Sequence, residues 1–147
     1  MKLISYQAKL TKEKEGGYSV SFPDVPGCFT EGETIEEALI NAQEALSLHL
    51  EEAANPEWDV PRARDHKGGN LYWITPDLDV AIPLTIRQLR RDKKVSQTLL
   101  ARHLDMTVQQ YQKIEYPKKS NPTAKTLMAV CRQLGYEIEF KKKKKSA

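Results

Sequence analysis

Two cysteines, three histidines and no long apolar run leave this 147-residue sequence poorly equipped for a disulfide framework, a metal centre or a membrane span. Cys28 and Cys131 fall in different halves of the chain and lack Cys or His neighbours, which speaks against a disulfide scaffold, thiol catalysis and zinc, and favours a reducing compartment. His49, His66 and His103 have no metal-ligand spacing. No apolar stretch approaches the roughly 20 residues that cross a bilayer, and no secretory h-region follows Met1, so a cytoplasmic protein without a membrane partner is expected. Asp24 and Glu31 are the nearest candidates for metal carboxylates, yet two-metal hydrolysis needs several acids converging on one point. Asp24 sits between prolines, and Glu31, Glu33, Glu36 and Glu37 rim a helix start where negative charge is favoured. No catalytic residue, no metal and no cofactor is assigned.

What is present is an opposition of charge. Residues 1–82 hold 7 Lys or Arg against 15 Asp or Glu, net −8, whereas residues 83–147 hold 16 against 5, net +11. The overall +3 hides this. Five of the positive charges form the run 141–145, and the second half without them is still +6. An acidic unit suits a basic macromolecule and a basic unit suits a polyanion such as DNA. A chain of this length supports one ordinary core or two small ones, and small units gain from oligomerisation.

In the acidic half, Ile4, Tyr6, Ala8 and Leu10 share one parity and predict a strand over residues 2–10, with a turn at 12–17 and a hairpin partner carrying Tyr18, Val20 and Phe22. A short third strand is expected over residues 28–30. Thr34, with Glu37 at the capping-box position, opens a helix carrying Ile35, Ala38, Leu39, Ala42, Ala45, Leu46 and His49 or Leu50 at helical spacing. Residues 55–69 read as a loop or linker, and 71–74 as one more strand. The basic half begins at Pro83: a helix is expected from Leu84 or Thr85 to about Asp92, with Ile86 and Leu89 inward. Ser96 caps a short helix bearing Leu99, Leu100, Ala101 and Leu104, and Thr107 caps another bearing Val108, Tyr111 and Ile114. A last helix over 122–134 closes at Gly135. Tyr136, Ile138 and Phe140 alternate with Glu137 and Glu139 as a terminal strand whose exposed edge predicts pairing with a second subunit. Residues 141–147 are expected to be a disordered basic tail.

Only Asp105 and Met106 separate the helices that Ser96 and Thr107 start, the tight connection that a helix-turn-helix needs. An inward Val108, Tyr111 and Ile114 leave Gln109, Gln110, Gln112 and Lys113 outside. Glutamine amides read base edges and lysine serves phosphate or guanine. Lys118 and Lys119 in the following turn, and the free backbone N–H groups around Thr107, suit phosphate. Ser96-Gln97, Leu100-Ala101, Leu104, Thr107, Ile114-Glu115, Asn121-Pro122 and the segment from Leu127 to Leu134-Gly135 resemble the phage-repressor and Cro type of helix-turn-helix over about residues 84–135. The resemblance implies that Gln97 contacts phosphate and helps to orient a base-reading glutamine, Gln109 or Gln110. Tyr111 departs from the small or aliphatic residue often found there, which leaves the register open between the two.

In the first half, Gly17-Tyr18-Ser19-Val20-Ser21-Phe22-Pro23-Asp24-Val25-Pro26-Gly27-Cys28, continued by Thr30-Glu31-Gly32-Glu33-Thr34-Ile35-Glu36-Glu37-Ala38, closely resembles the HicB antitoxin family over most of residues 3–54. With the repressor-like segment attached, nearly the whole chain matches that architecture. The resemblance implies an incomplete ribonuclease-H-like fold that binds and inhibits HicA, a small basic mRNA interferase, and the local charge of −8 suits the same partner.

The expected fold class is therefore two-domain α+β. Residues 1–80 form an incomplete ribonuclease-H-like sheet plus helix, with Tyr18, Phe22, Asp24, Cys28 and Glu31 as candidate toxin contacts. Residues 81–140 form an all-α helix-turn-helix with a terminal β-strand, reading double-stranded operator DNA and dimerising through Tyr136, Ile138 and Phe140; higher oligomers are open. The alternative is a stand-alone DNA-binding repressor whose first half senses a small ligand.

Overall fold

The computed structural model describes residues 2–144. The elements are β1 (Tyr6–Lys12), β2 (Tyr18–Ser21), β3 (Phe29–Gly32), α1 (Ile35–Ala53), β4 (Leu71–Ile74), α2 (Leu78–Asp92), α3 (Gln97–His103), α4 (Val108–Ile114) and α5 (Ala124–Gln133). The class is mixed α+β. All strand pairs are antiparallel, in the order β3-β2-β1-β4.

The period-two pattern decides which face of the sheet is buried. Leu10 lies opposite Val20, Tyr6 opposite Ile74 and Ala8 opposite Tyr72, so one parity gathers the apolar side chains on one face. α1 covers that face with Ala38, Ala42, Leu46 and Leu50, four residues apart and fully buried. Thr34 accepts from Glu37 N at 3.1 Å and fixes the helix start. Close approach at that point requires Gly32: a Cβ there would stand 2.4 Å from Ala38 N and 2.7 Å from its Cα.

α2 starts earlier than the sequence suggests. It runs from Leu78 with Pro83 inside it, rather than beginning behind the proline. Proline removes one helical hydrogen bond, but Val80, Ala81 and Leu84 on this stretch belong to the sheet core, and their burial outweighs the lost bond. Thr85 Oγ1 donates to Ala81 O at 2.6 Å and accepts from Ile4 N at 2.9 Å, which ties the start of the chain to the helix. The second hydrophobic cluster collects Ile86, Leu100, Ala101, Tyr111, Ile114, Val130 and Leu134, with Leu89 packed against it. One helix thus feeds two cores.

Residues 55–69, which the sequence reads as a loop or linker, are strapped to that helix. Arg87 Nη1 donates to Asn55 O at 2.8 Å. Arg91 donates to Trp58 O at 2.7 Å, Asp59 Oδ1 at 2.6 Å and Pro56 O at 3.0 Å. The Arg62 guanidinium pairs with Asp92.

The terminal strand expected over residues 136–140 is not formed within the single chain; these residues lie outside every helix and strand. A lone strand has no ladder to join. Gly135, at φ +87°, closes α5, and Phe140 beyond it is 97% exposed. Residues 141–144 have no regular structure and are exposed, while 145–147 of the expected tail lie outside the described residues.

Candidate functional site

α3 and α4 are short, so their ends govern their geometry. Ser96 Oγ accepts from Leu99 N at 3.0 Å. At α4, Thr107 Oγ1 accepts from Gln110 N at 3.1 Å while Gln110 Oε1 accepts from Thr107 N at 2.8 Å, a reciprocal capping box. Asp105 makes the turn between them at φ +55°, a left-handed conformation that Asp tolerates better than most residues. Leu100, Ala101, Tyr111 and Ile114 point into the second core, and Val130 and Leu134 of the α5 region complete it.

Beneath this pair sits a buried carboxylate. Glu115, 1% exposed, receives Arg90 Nε at 2.5 Å and Nη2 at 3.0 Å, Gln97 Nε2 at 3.2 Å and the Tyr111 hydroxyl. Arg87 Nη2 donates to the Glu115 carbonyl at 2.8 Å. Burial tends to lower the Arg90 guanidinium pKa, but the hydrogen bonds and charge of Glu115 overcome it and raise it. Burial, reinforced by Glu115, pushes the Tyr111 phenol far up, so it serves as a hydrogen-bond donor. Burial lowers Arg87, against the pull of Glu115. None of this hub was foreseen. Its signals are faint: arginines at 87, 90 and 91 on an otherwise inward helix face, and Glu115 as one of only 5 acids in the basic half.

Above the hub, Gln97, Gln109, Gln112, Lys113 and Lys119 line one open cleft of about 420 Å³ together with Arg87 and Tyr116. Lys119 Nζ lies 5.9 Å over the Tyr116 ring, and Lys118 is exposed beside it. Gln97 is held at both ends, donating to Glu115 and accepting from Gln112 Nε2 at 3.5 Å. Gln110 commits its side-chain oxygen to the cap, whereas Gln109 stays exposed in the cleft wall. Around Thr107, where free N–H groups are expected for phosphate, the capping box occupies two of them: the Thr107 N–H donates to Gln110 Oε1 and the Gln110 N–H to Thr107 Oγ1.

In the acidic half, the candidate contacts separate by burial. Glu31 is exposed and Tyr18 half-buried. Phe22 and Cys28 are each 3% exposed and belong to the core, and burial pushes the Cys28 thiol up to about 11. Asp24 is engaged too: its carboxylate accepts from Arg64 N at 2.8 Å and lies 2.9 Å from His66 Nε2, with the side chain 9% exposed. It pins residues 64–66 to the turn after β2. Among the described residues no group of three or more His, Cys, Asp or Glu is placed to hold a metal ion, and no helix is long and apolar enough to cross a membrane.

With this geometry in hand, the relatives fall into place. Over 142 residues the chain is 32% identical to Antitoxin HicB 1 of Photorhabdus laumondii subsp. laumondii, covering 95% of this chain and 90% of that one. A 43-residue segment is 49% identical to Antitoxin HicB of Escherichia coli, covering 29% of this chain and 31% of that one. A 47-residue segment is 49% identical to an uncharacterised 14.9 kDa protein in the rep-hol intergenic region of Haemophilus phage HP1; the alignment spans 32% of this chain and 35% of the phage protein. The model of the HicB-like antitoxin of bacterial toxin-antitoxin systems matches residues 6–120, from β1 through the turn beyond α4. The chain belongs to the HicB-like antitoxin family.

Proposed function

We propose that this antitoxin binds and neutralises a small basic HicA-like mRNA interferase through residues 1–80 and represses its own operon by binding operator DNA through residues 81–140. The observation that carries the reading is the opposition of charge, net −8 before residue 83 and +11 after it, on two hydrophobic clusters joined by one helix. The incomplete ribonuclease-H-like assignment rests on the family resemblance and on the order β1-β2-β3-α1, with β4 pairing antiparallel to β1. The helix-turn-helix assignment is supported by the capped α3 and α4, the Asp105 turn and the outward glutamines. A direct test mixes the full chain with purified HicA-like toxin and follows RNA cleavage; undiminished cleavage at stoichiometric excess rejects neutralisation. It also separates this reading from a ligand-sensing repressor, which has no reason to bind the ribonuclease.

For DNA, Gln109 is the favoured base reader, with Gln97 and Gln112 braced behind it and Lys113, Lys118 and Lys119 on phosphates. Gln109→Ala with Gln112→Ala should lower the ratio of operator to scrambled-duplex affinity by about 1 to 3 kcal/mol, while removing residues 141–145 should flatten the salt dependence on both duplexes. Wild-type values of both quantities in both variants reject the assignment. Two copies enlarge the small contact of one recognition helix, and Tyr136, Ile138 and Phe140 supply the edge by which they pair. Deleting residues 136–147 should convert a dimer into a monomer in sedimentation and spare toxin inhibition; an unchanged dimer rejects strand pairing.

A further inference from the structure

We infer that the outward face of α1 is the docking surface for the basic ribonuclease, an assignment that rests on the antitoxin reading above. Glu36, Ile40, Glu44, Leu48 and Glu52 follow one another four residues apart and all are exposed. Carboxylates and aliphatic side chains therefore alternate along one line, on the far side of the helix from Ala38, Ala42, Leu46 and Leu50. Ile40 is 68% exposed and Leu48 55%. A single exposed aliphatic residue is ordinary. Two of them on the polar line of an amphipathic helix, each between glutamates, do nothing for the core beneath.

The charges point the same way. α1 carries five glutamates and no Lys or Arg, and among the described residues no ion pair reaches any of them. Glu36 and Glu37 in the first turn sit where the helix dipole favours them, but Glu51 and Glu52 lie at the opposite end, where it does not. A helix built only for its own stability would end in Lys or Arg. Aliphatic residues on the polar face and glutamates at the unfavourable end both become favourable against a basic partner presenting an apolar ridge. Next to this line, a groove of about 200 Å³ between α1 and the start of β3, bordered by Gly27, Ala45, Leu48, His49 and Glu52, offers a socket for one bulky partner side chain.

The experiment titrates purified HicA-like toxin into the full chain and its variants. Ile40→Ser with Leu48→Ser should weaken binding about a hundredfold with an unchanged melting profile, since neither residue supports the core. Glu44→Gln, Glu51→Gln and Glu52→Gln together should slow association about tenfold at low salt and flatten its salt dependence. Trp73→Ser, on the other face of the sheet and 54% exposed, should bind as wild type does. Wild-type affinity and association rate in both α1 variants overturn the assignment and leave the antitoxin reading standing. So does a loss confined to self-association, which would make the face a contact between copies. An unmodified chain that neither binds the toxin nor slows RNA cleavage removes the antitoxin reading itself.

Discussion

Replacing Glu115 by alanine should cost about 3 to 5 kcal/mol, because it leaves the Arg90 guanidinium buried without its counter-charge. Three features make this a severe change. Glu115 is 1% exposed, so its contacts are made with protein groups rather than with solvent. Arg90 meets it through two N–H groups, Nε at 2.5 Å and Nη2 at 3.0 Å, an arrangement that no neighbour reproduces. The Tyr111 hydroxyl loses its acceptor in the same step. Arg90→Ala should be comparably damaging, now through an orphaned carboxylate. Replacing both partners by apolar residues of similar volume, Arg90→Met with Glu115→Leu, should recover most of the loss. Urea unfolding followed by fluorescence and by amide exchange in α3 to α5 measures all three. A Glu115→Ala variant within about 1 kcal/mol of wild type would show that the pair does not hold the basic half together.

Gly32→Ala should also be strongly destabilising, toward the upper end of roughly 1 to 3 kcal/mol for overpacking. The reason is what the new methyl group meets: Ala38 N at 2.4 Å and Ala38 Cα at 2.7 Å, which are backbone atoms at the capped start of α1. A flexible side chain could turn aside, but a helix start can yield only by lifting off the sheet, uncovering Ala38 and Ala42. Trimming the opposing residue, Ala38→Gly, should therefore fail to rescue the variant. Thermal melts of the single and double variants give the answer, and a wild-type melting temperature for Gly32→Ala would mean that the helix start moves freely.

The sequence made the regular elements legible where a local pattern and a local cap agreed. The shared parity of Tyr6, Ala8 and Leu10 identifies β1, and Thr34, Ser96 and Thr107 each cap the helix expected of them. It misled where tertiary burial overrode a local signal. Pro83 reads as a boundary, yet the helix runs through it because Val80, Ala81 and Leu84 face the sheet. Phe22, Asp24 and Cys28 are expected as partner contacts, and the fold buries Phe22 and Cys28 while the Asp24 carboxylate holds residues 64–66. The departure at Tyr111 has a clear cause in three dimensions: its ring fills the second core and its hydroxyl finds Glu115. No linear pattern pairs residue 90 with residue 115, or the arginines of α2 with the carbonyls of residues 55–58.

Because α2 belongs to both cores and is strapped along its length, no free segment is left between the acidic face and the glutamine-bearing helix to act as a swivel. The two are geared together like cams on a single shaft. One residue added to or removed from the shaft between Leu84 and Ile86 would turn one cam against the other by about 100°, leaving each core intact in composition while re-aiming everything it presents. Length in that stretch of helix thus does something unrelated to stability: it sets the angle between the outward face of α1 and the glutamines of α4.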